Sequence, residues 1–233
     1  MTVTPSAQND PLARLAARAL EMTADATLIG LGSGRAATAF VRALGAQARA
    51  GRTVRGVPTS EASARVAREG GIALIDLDGT TLDVTVDGAD EVDPQLDLIK
   101  GWGGALVRER IVAAASRRQV ILVGSEKLVP VLGSRGRLPV EVIPFALPLV
   151  LGRLAELGCR PVVRMVAGQR FMSDNGNVVV DCAVAPIASP AALHARMRAI
   201  PGLVDTGLFL GTADTVLVAE GDTIRTLDRR SSM

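Results

Sequence analysis

Four short stretches hold residues whose types and spacing could do chemistry, and each follows an apolar, β-prone run. The first is Gly30-Leu31-Gly32-Ser33-Gly34-Arg35. A glycine-rich turn entering a helix presents backbone N–H groups to an anion, so Ser33, Gly34, Arg35 and Ala36 are candidate contacts for a phosphate monoester. It is not a dinucleotide fingerprint. The third glycine would fall at Arg35, and no acidic residue ends the next strand at Pro58-Thr59-Ser60. The second stretch, Val86-Asp87-Gly88-Ala89-Asp90-Glu91-Val92-Asp93, places carboxylates at a strand's C-terminal end, where open α/β sheets bind ligands. Its carboxylates suit hydrogen bonding to hydroxyls or proton transfer, Gly88 and Ala89 let a ligand approach the backbone, and the spacing is not that of an EF-hand. The third runs Lys100-Gly101-Trp102-Gly103-Gly104 into a helix carrying Glu109, and the fourth is Gly124-Ser125-Glu126-Lys127.

Each stretch also has a plain structural reading: a tight β–α turn, a solvated acidic turn, an exposed helix carboxylate beside an arginine, a helix cap. What weights the chemical readings is the use of lysine. Of the 26 basic residues, 24 are arginine, and the two lysines, Lys100 and Lys127, both fall in these stretches. An ammonium approaches a phosphate or a developing oxyanion as a compact point charge, which a planar guanidinium does not. Taken together, the four strand ends describe a site for a small, anionic, hydroxylated ligand.

Composition narrows the field. The 233 residues carry 24 acidic side chains, for a formal net charge of +2, with 48% hydrophobic and 21% charged residues, the profile of a compact globular chain. No Lys/Arg run forms a nucleic-acid stripe, and at 2% aromatic there is no base-stacking platform. The longest apolar stretch, near Ile143 to Leu151, is broken by Pro144 and Pro148 and falls short of the roughly 20 residues of a membrane span. The opening MTVTPSAQND has no basic and apolar leader pattern, so a cytoplasmic chain is expected, with Cys159 and Cys182 as reduced core thiols. The sole histidine, His194, reads as a surface or packing residue, which disfavours a histidine-dependent triad.

The elements that must position these residues follow from periodicity and caps. Asp10-Pro11 opens a helix to Met22, Thr27–Ile29 is a buried strand, Ala36 to about Arg49 is helical, and Thr53–Val57 is a strand. Ser60 caps a helix through Arg68, and strands follow at Ile72–Leu77 and Leu82–Val86. Ala105–Arg117 is helical and Gln119–Val123 is an apolar strand. This alternation predicts a mostly parallel, Rossmann-like α/β sheet flanked by helices. From Leu138 the pattern changes to strands with an Asn-Gly hairpin at Ser173–Asn177, and a helix opens at Ser189-Pro190. That is a smaller α+β domain with an antiparallel sheet. The expected division is 1–133 plus 208–233 for the Rossmann-like domain and 134–207 for the small one.

The chain resembles the ribose-5-phosphate isomerase A family. The matching pieces are Gly32-Ser33-Gly34, Val86 to Glu91, Lys100-Gly101 to Glu109, Ser125 to Lys127, Leu138-Pro139-Val140-Glu141-Val142-Ile143-Pro144, Asp174-Asn175-Gly176-Asn177, and Ile200-Pro201-Gly202 with Gly207-Leu208-Phe209. The resemblance implies a cofactor- and metal-free interconversion of ribose 5-phosphate and ribulose 5-phosphate through an enediolate, in a homodimer or homotetramer. It implies Glu109 as proton acceptor, and substrate contacts from Ser33 to Ala36, Asp87 to Asp90, Lys100 to Gly103 and Lys127. Three departures stand out: Arg35 and Ala36 replace hydroxyl residues of the family loop, and Trp102 replaces a glycine. They raise two alternatives, an isomerase of another sugar phosphate and a non-catalytic sugar-phosphate sensor. The sensor normally carries a DNA-binding module, for which the segment before Thr27 is too short.

Overall fold

The structure is a computed structural model that describes residues 10–229, so the leader reading at residues 1–9 lies outside the described residues. In chain order the elements are α1 (Pro11–Met22), β1 (Leu28–Leu31), α2 (Gly34–Arg49), β2 (Arg55–Pro58), α3 (Glu61–Glu69), β3 (Ala73–Leu74), β4 (Val84–Gly88), β5 (Glu91–Val92), β6 (Leu98–Ile99), α4 (Leu106–Ala114), β7 (Gln119–Gly124), β8 (Arg137–Val142), α5 (Leu147–Glu156), β9 (Arg160–Val163), β10 (Met165–Val166), β11 (Gln169–Arg170), β12 (Val178–Ala183), α6 (Pro190–Arg198), β13 (Leu203–Thr206), β14 (Leu208–Phe209), β15 (Thr215–Glu220) and β16 (Thr223–Asp228). They group into two compact units. One holds residues 10–88, Ile111–Lys127 and residues 212–229; the other holds Ala89–Arg110 and Leu128–Gly211.

The first unit is built on a seven-stranded sheet in the order β16-β15-β7-β4-β1-β2-β3. Every pairing is parallel except β15 with β16, as the sequence periodicity predicts. Side chains alternate across it. Ile29, Leu31, Val84 and Val86 enter one core with Leu15 and Ala19 of α1 and Phe40, Val41 and Leu44 of α2. Gly30 and Thr85 face the other side, where α4 lies so close that a Cβ on Gly30 would sit 2.6 Å from Val112 Cγ1 and 2.1 Å from Thr85 Oγ1. The caps act as read: Asp10 accepts from Leu12 N at 3.0 Å, and Ser60 and Ser63 form a reciprocal capping box at the start of α3.

The second unit carries a four-stranded antiparallel sheet in the order β13-β8-β12-β9. Leu138, Val140, Val142, Val178, Val180 and Cys182 enter a second core with Val150 and Leu154 of α5 and Met197 of α6. Cys159 and Cys182 are buried and unbridged. The opposite face carries three carboxylates: Glu141 pairs in register with Asp205 on β13, and Asp181 on β12 stands opposite Pro139. The Asn-Gly turn forms as expected: Ser173 N donates to Asn177 O at 2.8 Å, and Gly176 takes a φ of 75°. A three-stranded sheet, β14-β6-β5, completes the unit. It accounts for a difference from the expected division. Residues 89–110, 128–133 and 208–211 group here because Leu208 pairs with Ile99 and Val129 N bonds Val92 O.

Two outcomes follow from this packing. Gly30→Ala should destabilise the protein by about 1–3 kcal/mol through overpacking, read as a lower urea midpoint at unchanged slope. His194 bonds Thr206 Oγ1 through Nδ1 at 2.8 Å, and burial, aided by the Arg110 cation, holds its pKa below the ordinary 6.5. The folded state therefore prefers neutral imidazole, so its contribution is full above about pH 6.5 and is lost as pH falls through the folded value. The drop in melting temperature between about pH 8 and about pH 5.5 should be smaller in His194→Gln than in the unmodified chain.

Candidate active site

In the first unit, the sheet order places the C-terminal ends of β1, β4 and β7 side by side. The chain leaves β1 into α2, on the face holding α1 and α2, whereas α4 lies on the opposite face. The ends of β1 and β4 therefore flank the topological switch point, where open α/β sheets take ligands. Asp87, fully buried at the end of β4, receives Ser33 N at 2.9 Å and Gly88 N at 2.8 Å on Oδ1. Only glycine fits at position 32, since a Cβ would lie 2.3 Å from Asp87 Oδ1 and 2.5 Å from Asp87 Cα. Ser33 stands at the N-cap of α2, yet its hydroxyl does not cap the helix; it lies 2.8 Å from both Thr59 Oγ1 and Ser60 Oγ. Gly34 takes a φ of 86° at the first turn, and Arg35 is exposed beside it. Lys127 ends the one-turn 3₁₀ segment Ser125–Lys127 that follows β7.

In the second unit, the Lys100 ammonium lies 3.3 Å from Glu109 Oε2, with the two side chains only 3% and 7% exposed. Two elements fix this pair. Lys100 N donates to Gly207 O at 2.9 Å just after β6, and Glu109 sits in the first turn of α4, with its N–H on Ala105 O at 2.9 Å. Beneath them the ring of Phe209, fully buried, has Lys100 Nζ 5.6 Å and the Arg110 guanidinium 4.0 Å from its centroid.

The loop between Lys100 and α4 is braced from several sides. Asp90 Oδ2 accepts Trp102 N at 2.9 Å. Arg164 donates to the carbonyls of Gly101 at 3.2 Å and Trp102 at 3.0 Å. Asp181 anchors Arg164; burial works against its ionisation, but hydrogen bonds from Arg164 and Arg137 hold its carboxyl below the usual range. The Trp102 indole sits near Arg135 and Arg137, 5.5 Å and 5.4 Å from its ring centre, and its Nε1 donates to Arg137 O at 3.3 Å. Its edge is thereby committed to the small unit's own backbone. Gly103 is exposed, and Gly104, at a φ of 89°, could not carry a Cβ, which would lie 2.4 Å from the Phe171 ring.

The structure thus brings Ser33, Gly34, Asp87 and Gly88 together at one set of strand ends, and Asp90, Lys100, Trp102 and Glu109 together around one loop and helix start. Sequence reasoning missed Thr59, Phe209, Arg164 and Asp181 as supports. Phe209 lay within a motif already quoted, without a role. Arg164 had no signal, being one arginine among 24.

Residues 55–223 match the family model described as ribose 5-phosphate isomerase A (phosphoriboisomerase A). The ribose-5-phosphate isomerase A of Roseiflexus castenholzii is 48% identical over 92% of this chain and 94% of its own length, and that of Gloeobacter violaceus is 47% identical over 91% and 93%. Among solved structures, ribose 5-phosphate isomerase A of Methanocaldococcus jannaschii superposes with a TM-score of 0.89 at 37% identity, covering 95% of this chain and all of that one. A D-ribose-5-phosphate isomerase in complex with phospho-erythronic acid gives 0.90 at 34% identity, covering 94% and 98%. With the glycine turn, the buried Asp87 and the Lys100–Glu109 pair in place, and with likeness running along nearly the whole chain, the protein belongs to the ribose-5-phosphate isomerase A family.

Proposed function

We propose that this chain interconverts ribose 5-phosphate and ribulose 5-phosphate by proton transfer, with Glu109 as the general base. The observation that carries the reading is the buried Lys100–Glu109 pair. Aldose–ketose isomerisation moves one proton between adjacent carbons and one between their oxygens. Glu109 takes the C2 proton of the open aldose, the C–H electron pair becomes the C1–C2 double bond, and charge develops on O1. Once protonated, Glu109 no longer holds Lys100 by charge, and the ammonium is released toward the new oxyanion, where a preplaced cation is most effective. The amides of Gly101 and Gly103 assist. A proton passes from O2 to O1, and Glu109 returns its proton to C1, giving the ketose. The reaction balances within one substrate and calls for no metal or other cofactor.

The remaining roles follow the chemistry of each group. Asp87, held by two backbone N–H groups, shuttles the proton that opens the sugar ring. Gly88, Ala89 and Asp90 contact hydroxyls, and Trp102, whose Nε1 is bonded to Arg137 O, offers the sugar only its apolar ring. Ser33, Gly34, Arg35, Ala36 and Lys127 take the phosphate, whose remote binding positions the reacting carbons. The phospho-erythronic acid held by a solved relative supports the reading, since a carboxylate on a phosphorylated polyol resembles a planar, anionic enediolate.

No helix among the described residues is long and apolar enough to cross a membrane. We place the protein in the cytoplasm as a homo-oligomer, dimer or tetramer. An exposed apolar patch in the small unit, with Phe145 97% exposed beside Ile143 and Leu149, supports association.

An assay with ribose 5-phosphate in the presence of EDTA tests the function. Glu109→Gln should lower kcat at least about 100-fold. Its circular dichroism and melting are to be recorded alongside, because it leaves Lys100 buried without its carboxylate partner. Equal kcat in the two proteins rejects the base. Lys127→Ala should raise KM with little change in kcat; an unchanged KM removes Lys127 from the phosphate site.

A further inference from the structure

Two motifs quoted above have no part in the proposed chemistry: Glu141 within Leu138 to Pro144, and Asp174-Asn175-Gly176-Asn177. The structure joins them. Glu141 is fully buried on the polar face of β8. Its Oε1 accepts three hydrogen bonds from the hairpin turn: Ser173 Oγ at 2.9 Å, Asn175 Nδ2 at 3.0 Å and Asn177 Nδ2 at 2.8 Å. A carboxylate is acceptor-only, so the Asn175 amide must turn its nitrogen to Glu141 and its oxygen outward. That oxygen accepts Arg108 Nε at 2.9 Å, and Arg108 Nη2 donates to Asp174 O at 2.9 Å.

Arg108 immediately precedes Glu109. On the other side, Arg110 bonds the Asp205 carboxylate and donates to Thr206 O and Leu208 O, each at 2.8 Å. The first turn of α4 is therefore tied down on both flanks of the glutamate. Arg110 is tied to β13 and β14 and stacked on Phe209, and Arg108 is tied to the hairpin turn. From this geometry we propose that Asn175 is a positioning residue. It relays the fixed position of buried Glu141 through Arg108 to the carboxylate of Glu109. The inference rests on Glu109 being the base. Its physical basis is that a base displaced by about 1 Å from its near-attack position forfeits up to about a hundredfold in rate, while groups that grip the substrate elsewhere still bind it.

Asn175 is exposed at a hairpin tip, which makes it a mild site for substitution. The test compares Asn175→Ala, Arg108→Ala and the double variant, with Glu109→Gln as reference, by steady-state kinetics on ribose 5-phosphate. Each single change should lower kcat about tenfold with KM within about threefold. The double variant should be no slower than the slower single, because both changes remove the same link. Asn175→Asp keeps an acceptor for Arg108 but sets a second carboxylate against Glu141, and it should lose rate like the alanine variant. Single variants with unchanged kcat, effects confined to KM, or effects that multiply in the double variant would overturn the positioning role while leaving Glu109 in place. An active Glu109→Gln overturns the reading beneath it instead.

Discussion

An ammonium and a carboxylate set 3.3 Å apart and almost wholly out of water constrain everything built around them. Desolvating two charges costs several kcal/mol each, and their attraction offsets that only when geometry and neighbouring hydrogen bonds are good. The surroundings supply both. Lys100 is pinned through its own backbone to Gly207, its ammonium lies over an aromatic face, and Glu109 sits at a helix N-terminus, where a negative charge is favoured. Gly207 itself is fixed by crowding: a Cβ there would lie 2.3 Å from Lys100 O and 3.1 Å from Pro139 Cδ. The backbone at each end of the pair is thus fixed, and the two side chains meet from anchored positions.

The first unit solves a related problem with one acidic group instead of two opposite charges. Asp87 is buried at a strand end, and its carboxylate is oriented by N–H groups from its own strand end and from the neighbouring glycine turn. The same turn cannot carry a side chain at position 32 without displacing that carboxylate. The glycine that opens the anion cradle is therefore also the glycine that lets Asp87 stand where it does. The Ser33 hydroxyl, drawn into a cluster with Thr59 and Ser60, ties the cradle to the start of α3.

Much of this was legible in the sequence, and the part that was not shares a physical cause. Parallel strands β1, β4 and β7 are apolar runs buried on both faces, so their ends, and with them Gly32, Asp87 and Lys127, could be placed by pattern alone. The rare lysines marked Lys100 and Lys127 because the chain otherwise uses arginine. Elements set by distant partners escaped. Strands β5, β6 and β14 are two residues each, too short for alternation, and exist because Glu91 and Leu208 both pair with Ile99. The expected strand Ile72–Leu77 shrinks to Ala73–Leu74, the two residues that pair with Arg55 and Gly56 of β2. Helix α4 stops at Ala114, short of Arg117, where Ser116 Oγ turns back to Val112 O and Arg117 N bonds Leu82 O. Supports such as Arg164 carry no local signal at all, since their role is conferred by a loop some sixty residues away in sequence.

The order of β15 and β16 in the large sheet has a consequence for how the chain matures. Residues 215–220 add to β7 as a parallel strand and residues 223–228 close the edge beside them. During synthesis the ribosome must therefore deliver the whole second unit before the first can be finished. Pairings of such long sequence separation are slow to nucleate and leave a bare strand edge in the interim. Until those last strands arrive, the nascent chain presents β7 as an open template, and an unpaired edge of that kind exposes a folding intermediate to aggregation.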